Sequence, residues 1–537
     1  MFPISRILAV AIALPLASGS LLSLGAGLTP VPEANKKTAG FAAPNVLSPE
    51  LAERVVAQGS NPLENPSTDF GSYGYSFDGP MLPALGSNVE ATKTEPDKNT
   101  YLVLPKLSGP DSQYNYGQHF LFQGHENGKG GNGYITRINL DADAAHRVTL
   151  LAATDSDGKA LPTIDGSTWY PWSGRLLFSA EGSHGGGVWQ ATPDFPSTVD
   201  SLTGILGQGG YEGMQADPRG EIWIVEDSGG KNGSVNSHAK QPNSFIYRFI
   251  PSDARDLKKG GKLQALQVVS TKTGQPIVFH DGQADADITA PEQHELHTYG
   301  NSLRTHWITI HDTSLDGTAP FSGNALAKAK LATPFKRPEN GQFRPGTGFR
   351  EFYFDTTGDT NALTEAAGFG GLGAIFKLTQ RSPDASDGVL SLFYLSDAAH
   401  SGFDNAAFWS PNHVVFVQDM GDTLHTQINA FDSAFMFDVR VDYSNPANQP
   451  VRILALGRDP SATIDSGLSG TSGFQNDGDN EITGIHVSDG DPSPLGLLGA
   501  KLPWPFHLGW RVFYTQQHGD NQTFEIIPND DDHWAAR

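Results

Sequence analysis

A short pattern recurs six times along the chain: a turn, an apolar strand of three or four residues, and a polar or acidic exit. In the segment YEGMQADPRGEIWIVEDSGG the apolar run stops at Glu226 and Asp227, and a glycine-rich exit follows. Short strands between Gly and Pro turns are typical of all-β proteins, and repetition of one unit indicates a propeller. The sequence therefore predicts an all-β, six-bladed β-propeller, with a β-sandwich or two stacked domains as the alternative. The six apolar runs are 120–122, 175–178, 222–225, 352–354, 414–417 and 512–514.

The units are unevenly spaced, which predicts long inserted loops. The gap between Asp227 and Asp355 is too long for one blade. The predicted insertion spans about residues 270–335. This insertion is expected to be partly helical, because it contains the Ala- and Lys-rich stretch GNALAKAKLATPF. A second gap, 461–492, carries six acids and no Lys or Arg.

The first residues have the pattern of an export signal. Arg6 precedes the apolar stretch 7–16, and small residues follow. The further apolar stretch 21–28 leaves an uncleaved anchor open as an alternative. We assign 1–34 to a signal peptide and leader. We expect an exported protein, periplasmic or secreted, with no stable membrane span after signal cleavage.

Charge and cysteine content restrict the partners and the means of stabilisation. The net charge is −23, which argues against nucleic acid or an anionic membrane as a partner. An anionic substrate can approach such a protein only where bound cations stand between the two. The chain has no cysteine, so neither disulfides nor thiolate metal ligands are available.

Most of the repeated strands end in carboxylates. In a propeller the first strands of the blades line a central channel, and equivalent strand ends meet at one mouth. Carboxylates crowded there repel one another, so we expect them to hold cations, and oxygen donors favour Ca²⁺, Mg²⁺ or Mn²⁺. The alternative is that each acid caps a turn and faces solvent. The acids concerned are Glu126, Glu181, Glu212, Glu226, Asp227, Asp355 and Asp419.

Three other patterns are compatible with metal binding. The HELH segment, 294–297, has the wrong spacing for a zinc-binding helix, although zinc held by its histidines with His306 and His311 stays an alternative to ordinary histidines. The stretch NDGDNE resembles a calcium loop without the glycine of an EF-hand, and it ends at Glu481. His518 follows the sixth apolar run in FYTQQHGD.

The segment FKRPENGQFRPG places Arg337 two residues before Glu339, across a proline. An arginine fork binds an oxyanion, and a neighbouring carboxylate binds a metal ion. Phosphoryl transfer assisted by hard cations requires this combination. A surface salt bridge is the alternative.

Seven segments, in their order along the chain, resemble the PhoX-type alkaline phosphatase family. They are GHEN, RLLFSAEG, GYEGMQADPRG, FKRPENGQFRPG, FDN, EITGIHVSDGD and FYTQQHGD. The resemblance is especially close to a divergent branch of exported bacterial proteins. It covers 65–537, which leaves 35–64 as an N-terminal extension. It implies a six-bladed propeller that hydrolyses phosphate monoesters and holds calcium ions and, in the best-understood members, two irons.

The resemblance also implies roles for individual residues. Metal ligands are expected at Glu181, Glu212, Glu339 and Asp404, and Arg337 is expected to contact the substrate phosphate as a catalytic residue. Weaker metal or site candidates are Glu126, Asp227, Asp419, Glu481 and His518.

The chain departs from the family pattern at the centre of this site. Ser179 stands where the family has an iron-bridging cysteine, and Ala180 where it has a glutamate. Tyr211 and Gly124 replace a histidine and an asparagine. A serine hydroxyl bridges irons poorly, so the sequence favours Ca²⁺, with Mn²⁺ or Mg²⁺ as alternatives, over iron.

The expected function is that of an exported, monomeric phosphomonoesterase. The resemblance implies a metal-bound hydroxide or oxo nucleophile and a small-molecule phosphate ester as substrate. Two alternatives stay open: a non-catalytic calcium-binding propeller for binding or surface display, and a phytase-like or lactonase-like hydrolase on the same fold.

Overall fold

The fold is described by a computed structural model that covers residues 26–37, 43–81, 91–182, 185–457 and 481–529. The apolar stretch of the predicted signal and most of the acidic NDGDNE segment lie outside these ranges.

Strands dominate the described chain. In chain order they are β1 (Val46–Leu47), β2 (Leu51–Ala57), β3 (Glu95–Val103), β4 (His119–Glu126), β5 (Tyr134–Asn139), β6 (Val148–Ala152), β7 (Ile164–Tyr170), β8 (Arg175–Ala180), β9 (Gly187–Ala191), β10 (Val199–Ser201), β11 (Tyr211–Ala216), β12 (Ile222–Glu226), β13 (Ile246–Pro251), β14 (Gly261–Val269), β15 (Leu303–Asp312), β16 (Gly341–Phe343), β17 (Glu351–Thr356), β18 (Ala374–Thr379), β19 (Asp387–Leu395), β20 (Phe403–Ser410), β21 (His413–Gln418), β22 (Ser433–Asp438), β23 (Val451–Ala455), β24 (Ile482–Ser488), β25 (Arg511–Gln516) and β26 (Gln522–Pro528).

The helices are few and short. They are α1 (Ala284–Ile288), α2 (Pro291–Leu296), α3 (Thr313–Asp316), α4 (Gly323–Ala329) and α5 (Gly421–Ile428), with single 3₁₀ turns at Lys129–Gly131, Ala144–His146, Leu257–Lys259, Ala367–Phe369 and Pro494–Gly496. Four of these five α-helices lie in the predicted insertion, which also contributes β15.

All strand pairs in the five sheets are antiparallel. The sheet orders are β3-β4-β5-β6, β10-β9-β8-β7, β1-β23-β22-β21-β20, β2-β26-β25-β24, and a nine-stranded sheet β11-β12-β13-β14-β15-β19-β18-β17-β16. The all-β prediction is therefore confirmed, and the sheets have a propeller-like arrangement. In the nine-stranded sheet, β15 pairs with both β14 and β19 and so joins two runs of four strands.

Six strands contact one another in a closed order around a common axis: β3, β7, β11, β16, β20, β24 and back to β3. One comes from each of the four smaller sheets, and one from each half of the nine-stranded sheet. We term them the inner strands. The end of the axis at which they begin is the upper face, and the end at which they finish is the lower face. Because each inner strand is followed by an antiparallel partner, the second strand of each run ends at the upper face.

The six predicted apolar runs all lie in strands, namely β4, β8, β12, β17, β21 and β25. Each of these strands pairs directly with an inner strand and is the second strand of its sheet or half-sheet. This position explains why the runs are almost continuously apolar, because strands covered on both faces by neighbouring sheets bury nearly every side chain.

The N-terminal segment takes part in the last sheet. Strand β2 lies within 35–64, the predicted N-terminal extension, and pairs along its length with β26. Strand β1 pairs with β23 of the preceding sheet. The beginning and the end of the described chain are thus hydrogen-bonded in one sheet.

An aromatic cluster links the two halves of the nine-stranded sheet. The Trp223 ring of β12, 1% exposed, lies with its centroid 5.1 Å from Trp307 of β15 and 4.9 Å from Phe343 of β16. The guanidinium of Arg248 lies 4.8 Å from the Trp307 ring. Such pairs stabilise the fold by more than their buried area alone.

Replacement of Trp223 by alanine should lower the free energy of unfolding by about 3–5 kcal/mol, because the lost ring leaves a cavity between these elements. Urea denaturation followed by circular dichroism measures the change. The matched control is Trp504→Ala, whose ring is 48% exposed, for which the change should stay below about 0.5 kcal/mol. Equal effects of the two substitutions would contradict this assignment of the core.

Candidate metal centre

Each inner strand carries a carboxylate at or just before its upper end. In β3, β7, β11 and β20 the pairing register with the second strand shifts across the acid and the residue after it. A bulge of this kind turns a side chain out of the regular strand alternation. The same local device therefore brings carboxylates to the upper face from different sheets. The six acids are Asp97, Asp165, Glu212, Glu339, Asp404 and Glu481.

The second strands deliver further acids to the same end. Glu126 is the last residue of β4, and Glu181, Asp227 and Asp419 directly follow β8, β12 and β21. Antiparallel pairing makes this unavoidable, since the end of each second strand lies beside the beginning of its inner strand.

Two groups of these carboxylates come close together. In the first acid group, one oxygen each of Glu181, Glu212, Asp227 and Glu339 lies within 4.8 Å of the others, and the same holds for Asp97, Glu126 and Asp165 in the second acid group. Three of the four metal ligands expected from the resemblance, Glu181, Glu212 and Glu339, thus lie together. Both groups consist only of oxygen donors and could hold a hard cation.

The carboxylates of the two acid groups carry like charges and are largely buried away from water, and both conditions raise the pKa of a carboxyl group. Burial, with the negative charge of Asp227 added, raises the pKa of Glu181 to about 7. Burial also raises the pKa of Asp97 to about 6 and the pKa of Glu212 and Glu339 well above their usual range. At neutral pH such carboxyls either take up protons or require positive charge nearby.

One buried carboxylate oxygen of the second acid group has no hydrogen-bond partner in the described part of the chain. Burial and the neighbouring carboxylates of Asp165 and Glu181 raise the pKa of Glu126 well above its usual range. Its Oε1 is buried and has no hydrogen-bond partner among the described residues. Buried polar atoms are almost always paired, so this oxygen is suited to an ion or an ordered water.

Arg337 is held against the first acid group. Its Nε donates to the Asp227 carboxylate at 2.9 Å, its Nη2 donates to Asp227 Oδ2 at 2.7 Å, and Nη2 also lies 3.3 Å from Glu339 Oε1. Although burial acts in the other direction, these carboxylates raise the pKa of Arg337. The Arg337 backbone is left-handed, with φ 56°, and Thr357 donates its N–H to the Arg337 carbonyl at 2.8 Å. A non-glycine residue in this conformation is strained and must be held by its surroundings.

Below the acids, a belt of polar side chains crosses the axis. Lys98 Nζ donates to Asn340 Oδ1 at 2.6 Å, and Asn340 Nδ2 donates to Asn405 Oδ1 at 3.1 Å. Asn405 Nδ2 donates to Thr483 Oγ1 at 3.2 Å, and the Thr483 hydroxyl donates to Asp97. Burial lowers the pKa of Lys98 to about 8, against the opposing effect of Asp404. The belt joins four inner strands and places one ammonium under the carboxylates.

Asp404, the fourth expected ligand, lies outside both acid groups. Its Oδ2 accepts a hydrogen bond from Asn405 Nδ2 at 2.6 Å. Burial, with the charges of Asp97 and Asp419, raises its pKa well above the usual range. The charges of Asp419 and Asp404 likewise add to burial in raising the pKa of Glu481. These three acids therefore neighbour the two groups without completing either.

Other sequence expectations have different outcomes. Glu226 does not join the acids at the axis, because its Oε2 accepts from the Tyr247 hydroxyl at 2.8 Å and from Asn324 Nδ2 at 3.1 Å. Asp355 Oδ1 accepts from the Asn340 N–H at 2.8 Å. His518 has a left-handed backbone and lies outside both acid groups.

The zinc alternative receives no support from the described residues, since no histidine there belongs to a close group of metal-binding side chains. His297 Nδ1 lies 2.7 Å from the Gln293 carbonyl, and the His311 ring stacks on Phe321 at 3.7 Å.

Sequence reasoning missed Asp97 and Asp165, which complete the second acid group. A signal was present, because each stands in a strand before a pair of small or polar residues, as Glu212 stands before Gly213. It also missed Lys240, a half-buried lysine whose N–H donates to Asp359 at 2.9 Å. Burial lowers the Lys240 pKa, and the nearby charge of Arg337 adds to this effect.

Comparisons with known proteins agree with this picture. Residues 229–424, which include Arg337, Glu339 and Asp404, match the family model described as alkaline phosphatase PhoX. PhoX of Pseudomonas fluorescens in complex with vanadate, a transition state analogue, is 11% identical. The alignment covers 93% of this chain and 98% of that chain, with a TM-score of 0.54. At this identity the likeness shows a common fold.

A further structure, oligogalacturonate lyase in complex with manganese, is 9% identical over 85% of this chain and 97% of that chain, with a TM-score of 0.29. No curated protein sequence matches the chain significantly. The family model and the common fold together confirm the resemblance that the motifs indicate: this chain is similar to the PhoX-type alkaline phosphatases.

Proposed function

We propose that the protein is an exported, metal-dependent phosphomonoesterase whose active site is the upper face. One observation carries the proposal: four carboxylates close enough to share a cation and a guanidinium suited to an oxyanion meet at Asp227, in the first acid group and the Arg337 ion pair. The family match supports a hydrolase of the alkaline phosphatase type. The similar fold of Pseudomonas fluorescens PhoX, which is in complex with vanadate, supports a phosphate ester as substrate.

The donor set fits a hard cation, and we propose Ca²⁺ with Mn²⁺ or Mg²⁺ as alternatives. Glu181, Glu212, Asp227 and Glu339 would hold it, with Asp404 as a further ligand. A bound cation would polarise a phosphoryl oxygen and lower the pKa of the attacking water. Weaker candidates for the neighbouring positions are Glu126, Asp419, Glu481 and His518.

Arg337 has a free edge for substrate. Its Nε and Nη2 are engaged by Asp227, whereas Nη1 makes no hydrogen bond to the described residues. In the proposed complex Nη1 donates to a non-bridging phosphoryl oxygen and stabilises the charge that grows there in the transition state. Lys240 is the second cation on this side. No hydrogen bond or ion pair engages its ammonium group within the described ranges, so we propose that it attracts the phosphate dianion.

The position of the Ser179 hydroxyl helps to decide which metal ions the site would bind. The buried Ser179 hydroxyl donates to the backbone carbonyl of Glu212 at 2.5 Å, which directs it to the backbone of β11 and not to a carboxylate. This arrangement favours a cluster of carboxylate-bound hard ions over an iron pair.

We also propose that the fold is a six-bladed propeller. The nine-stranded sheet divides at β15 into two four-stranded blades, which together with the other four sheets makes six. The closed order of the six inner strands supports this division. Export and a monomeric state follow from the sequence expectations.

The Arg337→Lys variant should hydrolyse p-nitrophenyl phosphate with a kcat/KM roughly 10²-fold lower, because an ammonium cannot bind Asp227 and phosphate with a planar fork. Steady-state assays with calcium, manganese, magnesium and iron measure this. Arg344→Lys is the control: Arg344 is also part-buried and pairs with Glu351 at 3.0 Å, away from the acid groups. Its kcat/KM should change less than about twofold.

Activity equal in both variants would contradict the role of Arg337. A protein that calcium stabilises strongly but that hydrolyses no phosphate ester with any of the four metals would favour the non-catalytic, calcium-binding alternative.

Protein from which metal ions have been removed with a chelator should lose stability as the pH rises from 5 to 8. The folded pKa values of Glu181, about 7, and Asp97, about 6, are raised above their ordinary values of 4.5 and 3.8. The folded state therefore holds protons that the unfolded state has released, and this stabilisation disappears as the pH passes through the folded pKa values. Differential scanning calorimetry should show Tm falling by at least about 3 °C across this range.

Calcium should abolish this fall, because the cation replaces the protons. A matched double variant, Glu181→Gln with Asp97→Asn, should flatten the pH profile of the chelated protein. The same fall of Tm with and without calcium would contradict the proposal that the acid groups hold calcium.

A further inference from the structure

The loop between β24 and β25, residues 489–510, crosses the lower face and is anchored to it on one side. Leu497 and Leu498 line a small cavity together with the lower ends of β3, β7 and β11. The Trp169 indole N–H donates to the Pro492 carbonyl at 2.7 Å. This loop therefore closes the axis at the end opposite the acids.

The same loop also presents large apolar side chains to solvent. Leu495 is 69% exposed, Leu502 57%, Trp504 48% and Leu508 83%. Thirteen large apolar side chains are exposed in the described chain, and four of them fall within these fourteen residues. Single exposed apolar residues are ordinary, whereas a cluster marks a surface that another apolar phase covers.

The loop holds these side chains in place. The Phe506 N–H donates to the Trp510 carbonyl at 3.1 Å, and the Trp504 ring stacks on His507 at 4.5 Å. The Phe506 ring packs against Trp409 of β20 at 5.5 Å. The apolar side chains are thus carried by a structured turn.

Charge distinguishes this loop from the rest of the protein. Residues 492–510 contain no Asp or Glu, although the whole chain has a net charge of −23. The two acids of the loop, Asp489 and Asp491, stand at its beginning and both contact its single lysine, Lys501, at 2.5 and 2.7 Å. The exposed apolar part of the loop, 495–508, therefore carries no carboxylate of its own that would repel the phosphates of phospholipid headgroups.

The N-terminal chain joins the fold at the same face. Leu28 belongs to the core cluster against which Phe506 and Trp510 pack. The Val31 N–H donates to the Arg452 carbonyl at 2.8 Å, at the lower end of β23. The sequence before it is apolar over 7–16 and 21–28. Leu28 and Val31 are thus attached to the fold on its lower side, and the sequence that precedes them is apolar.

We propose that the lower face rests on a lipid bilayer, with Leu495, Leu502, Trp504 and Leu508 inserted at the level of the headgroups. Tryptophan and leucine beside prolines, on a rigid support, suit the boundary between water and hydrocarbon. In this orientation the upper face, with its carboxylates and Arg337, points away from the membrane. The proposal does not depend on the reaction at the upper face.

Flotation with phosphatidylcholine vesicles tests the proposal on the purified full chain. The unaltered protein should float with the vesicles. The double variant Trp504→Ser with Leu508→Ser should partition about tenfold less, because two apolar side chains no longer leave water. Both substituted residues are exposed, so the thermal unfolding of the variant should match that of the unaltered protein. Vesicles containing phosphatidylserine should bind no more strongly, given the acidic protein.

Leu363→Ser is the matched control, since Leu363 is also exposed, at 62%, but lies between β17 and β18 at the upper face. It should float as the unaltered protein does. Equal partitioning of all three proteins, or absence of flotation, overturns the proposal. A concentration-dependent dimer that lacks vesicle binding and is abolished by Leu508→Ser also overturns it, and assigns the loop to a second copy of the chain.

Discussion

Repulsion between buried carboxylates is the interaction on which the upper face depends. Antiparallel pairing places the beginning of every inner strand beside the end of its second strand, and both positions carry acids in several sheets. Inside a protein these charges are poorly screened, so they must be balanced by protons or cations. The sheets are rigid enough to impose this crowding, because most side chains of the strands behind the acids are buried.

The protein supplies only part of the balancing charge itself. Arg337 neutralises Asp227, Lys98 lies in the belt under the acids, and Lys336 is bound to Asp359 at 2.8 Å. The second acid group, in contrast, has no paired arginine or lysine among the described residues. The cation requirement is therefore strongest where the sequence analysis had identified only Glu126.

The sequence was sufficient for the fold class and for much of the site, and particular residues show where it was not. The six apolar runs mark strands because buried second strands are apolar throughout, and Glu181, Glu212 and Glu339 come together as expected. Asp97 was not predicted as a site residue, because its bulged strand is polar there, with Asp97, Lys98 and Asn99 in succession. Glu226 was misplaced because a strand end alone does not say toward which neighbour a side chain turns. The pairing of β2 with β26 depends on residues far apart in sequence, which local patterns do not encode.

The pairing of β2 with β26 determines when, during folding, the circle of sheets can close. The sheet that presents Glu481 is complete only when residues 51–57 and 522–528 have met, so the circle of sheets stays open until the last tenth of the chain is available. In the export that we propose, the polypeptide would pass through a translocation pore with its carboxylates dispersed. It would then assemble them outside, where the ions of the surrounding medium, and not those of the compartment of synthesis, are the ones at hand.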